Sequence, residues 1–205
     1  MKDEWLALMA SLAVDETTAV TLYADLTTRY EADGRYYHNL SHIQHMLQTI
    51  RSMPADDYDE TAVQLAVWFH DVIYDPRAAD NEVQSAAYAR QVLAPLLTPE
   101  LVAEVERLIL LTITHDTAVT DVNGRILLDA DLATLGSDPA IYDRYGTAIR
   151  REYAYVPDDV YRQERAKLLT RFLQKEYIFI CAAFREQLES RARQNLQREL
   201  AALER

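Results

Sequence analysis

Four side chains in this sequence are of the types that bind divalent cations, and each sits where a lone charge is costly. His70 and Asp71 follow directly on "AVQLAVWF" (62–69), in which only Gln64 is polar. A helix apolar nearly all round is a buried helix, and burying an imidazole or a carboxylate is expensive unless something pairs with it. Both groups are good ligands for first-row divalent metals, so a bound ion would account for the tandem. The second His-Asp tandem, His115-Asp116, lacks that context. In "YYHNLSHIQHML" (36–47), Asn39 is read as a helix cap, and Leu40, Ile43, Leu47 and Ile50 then form the apolar stripe. His42 lies nearest that stripe and is the third candidate ligand, whereas His45 is read as a surface residue. In "ILLDADLATLG" (126–136), Asp131 falls among Leu127, Leu128, Leu132 and Leu135, and Asp129 falls on the opposite side. Asp131 is therefore the fourth candidate.

The order His42, His70-Asp71, Asp131 resembles the H…HD…D pattern of the HD-domain superfamily of predicted metal-dependent phosphohydrolases. The likeness extends over nearly the whole chain, to a bacterial branch marked by "YYHNLSHI", "WFHDVIYD", "NEVQSA", "LDADLATLG", "AIRREY" and "ARQNLQREL". It implies a compact single-domain helical bundle in which those four residues bind one divalent metal ion; Mn, Mg, Fe, Zn, Co and Ni all remain open. Two departures matter. The alarmone hydrolases with this motif carry a Glu-Asp pair where this chain has Tyr74 and Asp75, which argues against that activity. Members that bind two metals place extra histidines before the final aspartate, and only His115 is present here.

Such an ion lowers the pKa of a coordinated water and polarises a phosphoryl oxygen. The expected activity is hydrolysis of a small phosphate ester, with a nucleotide as one candidate because one or two of Tyr36, Tyr37, Tyr74, Tyr153 and Tyr155 could stack on a base, the competing reading being plain core-edge residues. Asp75 or Glu82 would accept the water's proton, although Glu82 also suits a helix start electrostatically. His38 and His115 are candidates for substrate contact, each with a local capping role as the competing reading. Arg77, Arg150 and Arg165 would clamp phosphate oxygens in a planar fork, with ordinary salt bridges as the alternative. Two other classes compete: a non-catalytic binding or scaffold module stabilised by its metal, and a di-iron oxygenase of HD type.

The elements that must position these residues read as all-α. Residues 4 to 30 form a first helix broken near Asp15, and a second runs from Asn39 to before Pro54. The third covers about 60 to 74, ended by Pro76. Asp80 caps a fourth that runs toward Pro95, and Thr98-Pro99 starts a fifth ending near His115. "DVNG" (121–124) reads as a turn. Helical stretches follow at 126–135 and 139–154, then two more from 158. The last, 184–205, carries Phe184, Leu188, Ala192, Leu196 and Leu200 at four-residue spacing. It is expected to pack on the core, with a homodimer seam as the second reading.

Length and charge bound the rest. The chain of 205 residues suits one domain. Its formal charge of −12 argues against long nucleic acid as a partner. Residues 1–149 hold 9 basic and 24 acidic side chains, and the remainder 12 and 9, so arginines of the C-terminal third are candidates to hold a phosphorylated substrate, with solvated helix faces as the competing reading. One cysteine, Cys181, mixed charges at "MKDEWLALMA" and no long apolar run fit a cytoplasmic protein without membrane contact.

Overall fold

Helix α4 (Glu60–Phe69) is the axis of the molecule, because its sequence leaves it no solvated face. Asp59 caps it, accepting from the Ala62 amide at 2.9 Å. From Ala62 to Phe69 every residue except Gln64 is buried. The Val, Leu and Phe side chains so buried each contribute roughly 1.5–3 kcal/mol relative to exposure. The computed structural model describes residues 1–53 and 57–203 and is all helical, with no strand among them. Around α4 pack α3 (Leu40–Ser52), α5 (Asn81–Leu93), α6 (Pro99–Leu111) and α7 (Val122–Leu132).

The N-terminal hairpin, α1 (Lys2–Ser11) and α2 (Glu16–Tyr30), closes one side of that core. The break between them falls where expected, with Asp15 accepting from the Thr18 amide. Trp5 meets Trp68 edge-on at 5.3 Å and donates its indole N–H to the Ala19 carbonyl. Tyr30 donates its hydroxyl to the Trp68 carbonyl at 3.0 Å. These pairings satisfy the polar ends of large buried rings.

Helix α7 runs into a short 3₁₀ segment (Ala133–Gly136), followed by α8 (Pro139–Glu152) and α9 (Asp158–Gln174). An extended stretch then leads to α10 (Ala182–Phe184), one π turn (Arg185–Glu189) and α11 (Ser190–Leu203). The apolar stripe of this C-terminal segment is spent within the chain: Phe184, Ala192 and Leu196 are buried, and α11 lies on α9 and the 3₁₀ segment. At Gly136 a Cβ would stand 2.6 Å from the Leu188 Cβ and 2.9 Å from its carbonyl oxygen, so only glycine admits that crossing. Among the described residues no helix is long and apolar enough to cross a membrane.

Three expectations are corrected. Helix α4 ends at Phe69, not near 74: the Ile73 amide, which a helix would return to the Phe69 carbonyl, donates to Ser85 Oγ at 3.1 Å, and Arg35 takes the carbonyls of Asp71 (2.6 Å) and Val72 (2.9 Å). "DVNG" is the cap and first turn of α7, with Asp121 accepting from the Gly124 amide. His45 is half-buried and its Nε2 is enclosed without a hydrogen-bond partner. Its helix is covered on two sides, by α4 and by α7. Pro54, the expected stop for α3, lies outside the described residues, as do the last two positions of 184–205.

Candidate metal centre

His42 projects from the first turn of α3, behind the Asn39 cap that accepts from the Ser41 amide at 2.9 Å. His70 and Asp71 stand in the turn just past α4, and Asp131 lies near the end of α7. The four side chains meet at one point between the three helices. His42 Nε2 is 3.1 Å from Asp131 Oδ1, 3.3 Å from His70 Nε2 and 3.8 Å from Asp71 Oδ2. His70 Nε2 is 3.0 Å from Asp71 Oδ2 and 3.8 Å from Asp131 Oδ1. The imidazoles are 1% exposed and the carboxylates 14%, so solvent does little to screen them.

This donor set fits a divalent cation. His70 Nδ1 donates to the Val67 carbonyl at 3.0 Å, which leaves a lone pair on Nε2 in the neutral ring. A backbone carbonyl on the far nitrogen is the usual device for orienting a metal-bound histidine. Two imidazole nitrogens and two carboxylate oxygens thus converge, and His42 Nδ1, on the far side of its ring, is buried without a hydrogen-bond partner. Donors at about 2.0–2.1 Å from an ion lie roughly 3 Å apart along each octahedral edge. The shorter separations here match that edge. His42, His70 and Asp131 form a buried group with ligand atoms all within 4.8 Å.

Proton affinities follow the same geometry. Burial alone would lower the His70 pKa, but the charge and hydrogen bond of Asp71 outweigh it and push it up to about 9. Burial raises both carboxylates, yet the surrounding imidazoles hold Asp71 and Asp131 below the ordinary aspartate range. The other oxygen of Asp131 is taken by His115 Nε2 at 2.8 Å. His115 has a left-handed backbone (φ 48°), which turns its ring back over α7.

Asp131 also belongs to the wall of a cavity of about 580 Å³. His38 and His115 flank it there, and Tyr37, Tyr145, Tyr153, Tyr155, Tyr161 and Phe172 supply an aromatic lining. Of the residues expected to touch substrate, His38, His115 and Arg165 line this cavity. Arg165 is already committed: its guanidinium meets Glu199 at 2.8 and 3.1 Å and the Tyr145 hydroxyl at 3.2 Å. Those partners outweigh the cost of burial and raise its pKa.

Four other expected residues stand off the cavity. Arg150 caps the end of α8, donating to the carbonyls of Tyr153 and Val156, and pairs with Asp158. Arg77 stacks on Tyr155 at 4.2 Å; Tyr155 lines the cavity and Arg77 does not. Asp75 is exposed and accepts from the Arg77 amide, while Asn81 brackets its backbone. Glu82 sits in the first turn of α5, also outside the lining.

Three residues missed from sequence hold the centre together. Glu152, buried at the end of α8, accepts the amides of Tyr36, Tyr37 and His38 at 2.8, 2.6 and 3.0 Å on one oxygen. Its other oxygen meets His38 Nδ1 at 2.6 Å and the Tyr74 hydroxyl at 3.0 Å. Burial works to raise the Glu152 pKa, but these bonds, His38 first, bring it below the usual value. His38 is correspondingly raised: burial opposes its charge, and Asp71 and Glu152 favour it more strongly. Arg35 links the His38 carbonyl to those of Asp71 and Val72, tying the two loops. Asp129, read from the helical wheel as facing away from Asp131, is fully buried. It accepts the amides of Ile180 (2.8 Å) and Cys181 (2.6 Å). In the sequence, "RRE" at 150–152 has the look of a solvated helix end, and only the loop 116 residues away makes Glu152 a buried hub.

Comparison with known proteins gives no match: no protein family, no curated protein and no solved structure matches this chain.

Proposed function

We propose that this chain is a metal-dependent phosphohydrolase of the HD-domain kind, cleaving a phosphate ester of a small molecule. One observation carries the reading: Asp131 is shared between the two-histidine, two-aspartate cluster and an aromatic-lined cavity of substrate size. His42, His70, Asp71 and Asp131 would hold the ion. A bound divalent cation supplies a nucleophilic water near neutral pH and polarises the phosphoryl group. His115 keeps Asp131 oriented through its second oxygen. The tyrosine wall suits a flat substrate body such as a nucleoside.

Arg171 takes the phosphate-clamping role expected of Arg77, Arg150 and Arg165. It lines the cavity, is exposed at its rim, and makes no ion pair within 4 Å among the described residues. A guanidinium free of carboxylates can offer its fork to phosphate oxygens.

The test is metal content by elemental analysis on the untagged chain and on Asp71→Ala, followed by a screen of phosphate esters with Mn²⁺ and Mg²⁺. The reading expects stoichiometric metal in the wild type, loss of it in a folded variant, and ester hydrolysis that follows the metal. A chain that takes up no ion from a panel of divalent metals would refute it. The two imidazoles at 1% exposure also suit a purely structural metal. A loaded chain inert toward every ester would favour that second reading.

A further inference from the structure

We propose that His38 is the catalytic residue that protonates the leaving oxygen, and that Glu152 is its positioning residue; the inference rests on the phosphohydrolase reading. Asp75 and Glu82 stand outside the cavity, so neither reaches the departing group, whereas His38 forms part of the wall beside Asp131. Its ring is fixed on three sides. Glu152 holds Nδ1 at 2.6 Å, Tyr74 stacks on one face at 4.3 Å between centroids, and Tyr37 meets its edge at 5.0 Å. Nε2 makes no hydrogen bond to any described residue and is the nitrogen left to face a substrate.

Glu152 cannot swing away, because the three amides of residues 36–38 and the Tyr74 hydroxyl fix it from the other side. A buried carboxylate that fixes the tautomer and orientation of an imidazole whose other nitrogen does the chemistry is the arrangement of the catalytic triads. The step balances. Water oxygen bonds to phosphorus as the bond from phosphorus to the leaving oxygen breaks. The Nε2 proton of His38 passes to that oxygen, and the proton released by the water restores His38.

The experiment compares wild type, His38→Gln and Glu152→Gln, metal-loaded, on an alkyl phosphate and on 4-nitrophenyl phosphate, whose leaving group needs no proton. His38→Gln should lose about 100-fold or more in kcat on the alkyl ester, with KM little changed and with only a small loss on the aryl ester. Imidazole ¹⁵N spectra of the wild type should show a protonated, strongly hydrogen-bonded Nδ1 in His38, lost in Glu152→Gln. Should Glu152→Gln fail to fold, His38→Gln and the wild-type spectrum still decide. Equal losses on both esters, no loss on either, or an unprotonated Nδ1 would overturn the assignment. A wild type inert toward all esters would overturn the hydrolase reading and this role together, whereas an active wild type with leaving-group-independent losses would overturn this role alone.

Discussion

Asp129 and Asp131 lie two residues apart at the end of α7, both enclosed, and they have opposite surroundings. Asp129 faces the amides of Ile180 and Cys181, donors that cannot lose their protons. Asp131 faces the imidazole nitrogens of His42, His70 and His115, which donate or accept according to tautomer and charge. Burial lifts Asp129 to about 6 against its two amide bonds, while the imidazoles draw Asp131 down. Partner chemistry separates the roles where residue type, helix and burial do not. A carboxylate closed over backbone amides is a fastener; one that shares its space with imidazole nitrogens has the surroundings a metal ligand needs.

That contrast can be broken in several ways. Asp131→Asn keeps the shape and removes the charge, and should weaken metal binding by more than about 100-fold, beyond the usual loss for an outer partner, while the chain stays folded. Elemental analysis and titration with Mn²⁺ would show it. Asp129→Ala should leave metal content unchanged but cost about 2–4 kcal/mol, since two buried amides lose their acceptor; urea unfolding gives the value. If Asp129→Ala also emptied the metal centre, the two aspartates would be one unit and the distinction would fail.

A finer cut comes from His115→Ala, which removes the support for the second Asp131 oxygen. Metal affinity should fall by about 10–100-fold with stability nearly unaltered. The smallest effect concerns Asp121, at the other end of α7. Burial works to raise its pKa, but Arg107, Gly124 and Thr117 lower it to about 2. A depressed carboxylate stabilises the fold above its unfolded pKa, and that share disappears as pH falls from about 4 toward 2. Solvent screening keeps it near 1 kcal/mol. Unfolding midpoints of wild type and Asp121→Asn should therefore converge over that range, and a constant gap would assign the effect to packing.

Local signals made much of this legible from sequence. The helix starts at Asn39 and Thr98 and the break near Asp15 stand where read, because each depends on a side chain bonding within its own first turn. The convergence of His42, His70 and Asp131 was readable from apolar periodicity, since an ionisable group on a buried stripe announces itself. The misses share a cause. Arg35 holds the turn after α4 from 36 residues away, Glu152 is buried by a loop on the far side of the sequence, and Asp129 is covered by a segment some 50 residues downstream. Helical wheels register which face is apolar, not what later folds over a polar one. The arginines misled for the same reason, because Arg165 and Arg150 are spent on partners no local pattern reveals.

The extended stretch between α9 and α10 gives the molecule an order of assembly. Four successive amides there, Ile178 to Cys181, are held by two carboxylates, Glu189 for the first two and Asp129 for the rest. A chain leaves synthesis N-terminus first, so α7 emerges with its Asp129 bare and must wait some fifty residues for a partner. The His38 loop waits longer still, from residue 36 until Glu152 arrives. Two histidines and two aspartates can gather while the chain is still growing. The closure around them is written last.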